Sequence, residues 1–400
     1  MDIIKLLATF ALILFFLGRK KSFSLVMLGG AILVAVLFPM HPADFLLAYG
    51  KSVISRFTLE LTFISWLVML FEGVMLENKY MERILTAMHN MFHSKIVDIV
   101  SMPMVMGFLP SSGGALLSAP IVENATEGTG LSAERKTGIN MHYRHVMEAF
   151  FPTYPGSIVA CGISGILAGK FFIMMLPMGV FIFFIGLWHL RGRKNVPATS
   201  AVSGLWPRFY ELLLALWPFL LLIFLITVFK LTVYWACLVA LVLLLIVTRP
   251  KLRTLPRLVK QHTKTKLLLM IVTVLAFKDI LAASGSLDTL PATISGLPLP
   301  PIIIFSLMVM SIAMITGIVS SSTAIVLPLM IVAIPNFTPS MVAIVHISSW
   351  IGAQLTPTHV CLPITAEYFQ ANLRKVLVQM LPIYAVVYAV ALLYYGFLFV

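Results

Sequence analysis

Two apolar arms, Ile96–Val105 and Ala115–Val122, flank the run FLPSSGGALLSAP at Phe108–Pro120. Each arm is too short to cross a bilayer alone. Pro110 has no backbone donor and the paired Gly113 and Gly114 raise backbone entropy, so the middle of the run is poor helix material. Short apolar arms joined by a polar tip predict a re-entrant hairpin near 95–122 rather than a spanning helix. The pattern returns two hundred residues on, as Ile302–Gly317, then VSSST at Val319–Thr323, then Ala324–Ile334. This second hairpin is expected near 301–335. Irregular backbone at membrane depth is tolerated only where protein or a water-filled cavity surrounds it, and a matched pair of such tips points to a transporter binding site.

Composition agrees with a membrane solvent. The 400 residues are 60% hydrophobic and 11% charged, with a mean hydropathy of +1.02, a balance no water-soluble core could hide. The chain reads as an all-α polytopic membrane protein of about ten transmembrane helices plus the two hairpins. The net charge of +13 does not indicate nucleic acid, because the basic residues sit in short loops between apolar segments and mark topology and anionic lipid. Cys161, Cys237 and Cys361 fall in apolar segments without CxxC spacing and read as small buried hydrophobes. Arg19-Lys20-Lys21 follows the first apolar stretch where a signal peptide would carry small residues, so a retained first span is expected.

Spans are expected at 3–18, 22–39, 57–76, 139–168, 171–190, 208–229, 231–248, 267–284, 341–370 and 376–399. Placing the basic loops in the cytoplasm leaves 21 Lys/Arg inside and 5 outside, with both termini outside. The first hairpin then enters from the cytoplasm and the second from the opposite side. The chain divides into a repeat over 1–190, a cytoplasmic linker over 191–207 and an oppositely oriented repeat over 208–400. Within each repeat the order is three spans, a hairpin, a broken span and a closing span. Phe71-Glu72-Gly73 stands where Phe277-Lys278-Asp279 stands in the second half. Arg249–Lys266 is either an interfacial helix or a basic loop.

The tips supply the first candidate residues. Ser111, Ser112, Gly113 and Gly114 precede a short helical arm, and so do Ser320, Ser321, Ser322 and Thr323. A helix N-terminus offers unpaired N–H groups and the positive end of a dipole, which suits an anion such as a carboxylate. The bland alternative is that small residues merely let helices approach. The interrupted spans come next. Thr153, Pro155 and Gly156 in FFPTYPGS, and Thr356, Pro357 and Thr358 in QLTPTHVCLP, break helices and free carbonyls for substrate or cation. Ser112, Gly113, Ser321, Ser322, Thr153 and Thr356 are the candidate sodium ligands; no other cofactor is expected.

Intramembrane charges form the third set. On a continuous helix Arg144 and Glu148 are i,i+4 and His145 and Glu148 are i,i+3, so one face would carry all three. Arg144 then attracts an anion while Glu148 and His145 relay protons, or the pair simply fixes the helix. His142 and His145 have no clear third ligand, which argues against a metal there. Glu72 and Asp279 are candidate coupling carboxylates, with Lys278 beside Asp279 as a local neutraliser.

The SSGGA and SSSTA tips, the TYPG and LTPTH breaks and the order of elements resemble the ion-transporter superfamily. That superfamily holds the divalent-anion/sodium symporters, gluconate and citrate permeases and arsenite-type permeases. YRHVMEAFFPTYPG and PSSGGALLSAP are more similar to an uncharacterised prokaryotic membrane-protein group within it. The symporter tip typically reads Ser-Asn-Thr, where this chain has Ser112-Gly113 and Ser321-Ser322, so a sodium-dicarboxylate assignment does not carry over directly. The resemblance implies a prokaryotic cytoplasmic (inner) membrane, a homodimer, a scaffold of spans 1–3 and 6–8, and elevator-like movement. The expectation is therefore a secondary active transporter, not an enzyme, moving a small organic anion with sodium or protons. The rivals are a membrane-embedded enzyme acting on a lipid-linked substrate and an ion channel.

Overall fold

A computed structural model describes residues 2–19, 21–92, 94–108, 113–194 and 205–397. Helices occur in two series of ten, and no strand occurs among the described residues. The first series is α1 (Asp2–Gly18), α2 (Phe23–Leu37), α3 (Pro42–Val53), α4 (Arg56–Glu77), α5 (Tyr80–Phe92), α6 (Lys95–Gly107), α7 (Gly113–Ala125), α8 (Ala133–His145), α9 (Pro155–Ser164) and α10 (Ala168–Ile185). The second is α11 (Leu205–Thr227), α12 (Val233–Thr248), α13 (Leu255–His262), α14 (Thr265–Ala283), α15 (Leu290–Ser295), α16 (Pro301–Thr316), α17 (Val319–Ala333), α18 (Pro339–Gln354), α19 (Cys361–Tyr368) and α20 (Leu373–Phe397).

Helix pairings recur between the series. α4 packs on α12 and α14 on α2; α6 packs on α8 and α16 on α18. Most telling, the return arm of each hairpin packs across the halves, α17 on α9 and α7 on α19. The expected hairpins are α6/α7 and α16/α17. The interrupted spans are α8/α9 and α18/α19.

Among the described residues, four helical stretches are long and apolar enough to cross a membrane: Arg56–Glu77, Ala168–Leu190, Trp206–Thr227 and Leu373–Phe397. α1, α2, α9, α12, α16 and α17 are shorter apolar helices. α2 and α12 are apolar but, at 15 and 16 residues, reach only about 22–24 Å at 1.5 Å per residue. On α11 and α12 the outward face is a run of large apolar side chains, among them Leu213, Leu220, Phe224, Val242 and Ile246. Together with their length and apolar character, these helices define an all-α polytopic membrane protein.

Short amphipathic helices stand where the sequence reads as basic loop. In α5 the buried Tyr80, Met81, Ile84 and Ala87 form one stripe against α11, while Glu82 and Arg83 face out. α3 packs on α14 as α13 packs on α4, so Arg249–Lys266 contains a helix rather than only a loop.

The pairing of α16 with α18 depends on one glycine. A Cβ at Gly352 would overlap the Met310 carbonyl and press on Ala313. Gly29 in α2 has open space around it. We expect Gly352→Val to destabilise the fold by about 1–3 kcal/mol, as overpacking does. Gly29→Ala should be neutral or stabilising by up to about 1 kcal/mol. Thermal unfolding of the two variants in one detergent checks the contrast.

Candidate functional site

The first break ends on a residue held extended by the proline that follows it. Tyr154, before Pro155, has φ −69° and ψ 141°, and Pro155 opens α9 at a position where its missing N–H costs nothing. Upstream, α8 ends at His145 and a 3₁₀ turn over Met147–Ala149 follows. The break therefore starts earlier than the FFPTYPGS run implies. Arg144, His145 and Glu148 do not share one continuous α-helical face, which corrects the i,i+3 and i,i+4 reading.

The second break, Leu355–Val360, closes over the tip of the second hairpin. Gly317 ends α16 in the left-handed conformation (φ +68°), and a Cβ there would strike the Thr358–His359 backbone. Three side chains from the break hold this helix end. Thr356 Oγ1 donates to the Met314 carbonyl at 2.6 Å, Thr358 Oγ1 reaches the same oxygen at 2.8 Å, and His359 Nδ1 donates to the Gly317 carbonyl at 2.8 Å. The threonines expected to face substrate thus cap a helix C-terminus. In the first half one long side chain acts similarly: Arg144 Nη1 donates to the Met106 carbonyl at the end of α6, a favourable place for a cation. Gly107 permits this approach, since a Cβ there would overlap the Arg144 carbonyl.

The serines expected at the second tip lie within a helix instead. Ser320, Ser321, Ser322 and Thr323 occupy the first turns of α17 and are buried. Ser321 Oγ donates to Met270 Sδ in α14. Ser322 Oγ lies 2.6 Å from Ser349 Oγ in α18 and also reaches the Val319 carbonyl. Thr323 Oγ1 is buried with no hydrogen-bond partner among the described residues. Ser111 and Ser112 lie outside the described residues, and Gly113 and Gly114 open α7.

The first turns of α9 and α17 touch. A Cβ at Gly156 would meet Val319 Cγ1 at 2.8 Å and His346 Cε1 at 3.1 Å. The helices run side by side from that contact, which brings two positive dipole ends together. At the meeting point and on the elements packed against it, buried polar atoms lack protein partners. Ser157 Oγ, Thr323 Oγ1, both polar atoms of the Gln354 side chain and Glu148 Oε2 have no partner among the described residues. The His346 ring nitrogens face the Glu148 and Ala149 carbonyls without reaching hydrogen-bond geometry. Native interiors rarely leave such atoms unpaired, and clusters of them mark places for water, ions or ligand. Thr153 is buried in the turn that leads into α9.

The histidines separate by role. His142 accepts from Tyr384 Oη at 3.2 Å and donates to the Ile182 carbonyl at 2.8 Å, which ties α8 to α20 and α10. His145 turns the other way. Its Nδ1 is 2.7 Å from the Met141 carbonyl and its Nε2 is 3.0 Å from His359 Nε2, with Cys361 beside them. Trp350 Nε1 donates to the His145 carbonyl at 2.8 Å. His142 and His145 do not share a site, and the neighbours of His145 come from the other half, where His359-x-Cys361 was the only local signal.

Glu72 on α4 and Asp279 on α14 sit in different surroundings. Glu72 is buried within electrostatic reach of Lys264, at the α13–α14 junction. Asp279 accepts a hydrogen bond from Ser52 of α3 and pairs with Lys278 Nζ at 3.0 Å. The local neutraliser read beside Asp279 is in place. Ser157, Ser349 and the Met314 and Gly317 carbonyls carry no motif and were not singled out from the sequence.

In class, then, the chain is an all-helical membrane protein with two helix hairpins and two interrupted helices meeting in a polar interior. Its sequence matches the family described as "Protein of unknown function (DUF401)" over residues 2–398, and the chain belongs to that family. No curated protein matches it. Among solved structures its fold is similar to that of the Alcanivorax borkumensis YdaH transporter, with a TM-score of 0.67 and 12% identity over 94% of this chain and 99% of that one.

The doubly held Met314 carbonyl makes a stability test. Thr356→Val or Thr358→Val alone leaves one hydroxyl on that oxygen, whereas the double variant orphans it. We expect each single change to cost about 0.5–1 kcal/mol and the double to exceed their sum. Unfolding midpoints of the three variants measure the difference.

Proposed function

We propose that the protein is a secondary active transporter of a small organic anion, driven by sodium or protons and with no enzymatic role. The observation that carries this reading is the contact between the first turns of α9 and α17. Two helix N-termini favour negative charge, and the unpartnered hydroxyls of Ser157 and Thr323 in those turns are placed to donate to it. Interrupted helices whose ends bind substrate and coupling ion are the usual architecture of such carriers. The similarity in fold to a transporter points the same way. Substrate contacts are assigned to Ser157, Thr323, Gly156 and Ser320, with Arg144 contributing positive charge. Glu148 and Gln354 are assigned to the coupling ion, and the sodium reading of Thr153 and of the tip carbonyls is retained.

The duplicated helix order and pairings support an inverted repeat with the linker at 191–207 between its halves. Under this reading both termini lie outside a prokaryotic inner membrane. The hairpins and interrupted helices move as one body against α1–α4 and α11–α14, and two chains form a homodimer. Kinship with the ion-transporter superfamily is part of the same proposal.

Thr323→Val separates function from folding. A buried hydroxyl without a partner adds nothing to stability, so its isosteric replacement should leave the unfolding temperature unchanged or raised. If that hydroxyl binds the transported anion, losing about 1 kcal/mol of contact weakens apparent affinity roughly fivefold. Proteoliposomes loaded to give an inward sodium or proton gradient, and screened with radiolabelled mono- and dicarboxylates, provide the readout. Uptake by Thr323→Val and Ser157→Ala equal to wild type would remove these helix starts from the mechanism. Failure of either gradient to drive accumulation of any organic anion would defeat the reading itself.

A further inference from the structure

His145 and His359 face each other through the wrong atoms for an ordinary hydrogen bond. Each Nδ1 lies against a backbone carbonyl, Met141 for one ring and Gly317 for the other. A carbonyl oxygen only accepts, so each Nδ1 carries the proton. Neutral imidazole has one ring proton, which leaves both Nε2 atoms as bare lone pairs 3.0 Å apart. Two acceptors at that distance repel unless a proton or a metal ion lies between them; Arg144, a cation close by, is engaged with the Met106 carbonyl and the Cys361 sulfur.

The third member of the cluster decides which cation. Cys361 Sγ and the two Nε2 atoms all lie within 4.8 Å of one another. We propose that His145 Nε2, His359 Nε2 and Cys361 Sγ bind a borderline-soft divalent transition-metal ion of the Zn²⁺ type. Bond lengths of about 2.0–2.1 Å to nitrogen and about 2.3 Å to sulfur, in a tetrahedron, require the nitrogens about 3.3 Å apart. The rings are nearly at that spacing already, and Cys361 Sγ, within 4.8 Å of both nitrogens, would move to about 3.6 Å from each. Hard sodium, which prefers oxygen, is a poor match for two imidazoles and a thiolate.

The surroundings are those of a metal site as well. The carbonyls on the Nδ1 side fix the tautomer and aim both rings, as outer partners of metal-bound histidines do. Pro357, Thr358 and Val360 are exposed around His359. On binding, the Cys361 thiol releases its proton to water. Three protein ligands leave a fourth position for water or an anion. The ion would join α8 of the first half to the break in the second, a link no single segment could make. This assignment stands apart from the nature of the transported solute.

The test uses purified full-length protein, freed of metal with a chelator and titrated with Co²⁺ as a coloured substitute for Zn²⁺. We expect one Co²⁺ per chain, a thiolate-to-cobalt charge-transfer band, and displacement of both signals by Zn²⁺. Cys361→Ser, which keeps the side-chain shape, should abolish the band and weaken binding at least tenfold; Cys237→Ser should change neither. His359→Ala should also lose the ion, but His359 holds the end of α16, so the comparison of the two cysteine variants is decisive. No Co²⁺ uptake, which would leave a shared proton between the rings, overturns the assignment. So does uptake without a thiolate band, or binding that Cys361→Ser leaves intact.

Discussion

A helix that stops inside a membrane protein leaves carbonyls and N–H groups that must find partners, and this requirement governs the centre of the fold. The ends of α6 and α16 are held by side chains from the interrupted spans. Arg144 reaches one, and Thr356, Thr358 and His359 reach the other. Each capping residue lies where an interrupted helix has just ended or broken. Hairpin and break therefore stabilise each other, and neither would keep its shape alone.

The two halves solve this problem with different chemistry. A single guanidinium in the first half corresponds to two hydroxyls and an imidazole in the second. That asymmetry has a use: His359 holds the α16 end through Nδ1 and leaves Nε2 to meet His145 from the opposite half. A strict copy of the first break would have no such group to offer. The helix starts, by contrast, remain polar and partly unsatisfied, with Ser157 and Thr323 bare in a region where Ser322 and Ser349 bond each other. Satisfied ends and unsatisfied starts divide the interior into a part that holds shape and a part available to a solute.

Much of this was legible in the residues. Gly317, Pro155 and Pro357 mark the interruptions because each acts on its own backbone, whatever the tertiary context. The hairpin arms and the order of elements follow from the same local rules. The amphipathic α5 was hidden because its stripe is short and its charges resemble a loop; only α11 shows what that stripe covers. Assigning Ser320–Thr323 to a tip put the turn two residues late, since Gly317 alone takes the left-handed conformation while Val319 already begins a helix. The pairing of His145 with His359 lay beyond sequence reasoning, because 214 residues separate them and no periodicity relates the two breaks.

The crossed packing of α17 on α9 and α7 on α19 bears on how the chain is made. When the ribosome has finished the first half, α7 and α9 have entered the bilayer without the surfaces they are shaped to touch. Their polar faces must wait for helices that are still being synthesised. Biogenesis therefore has a vulnerable interval that ends only when α19 arrives, and insertion chaperones or membrane proteases would find their substrate there.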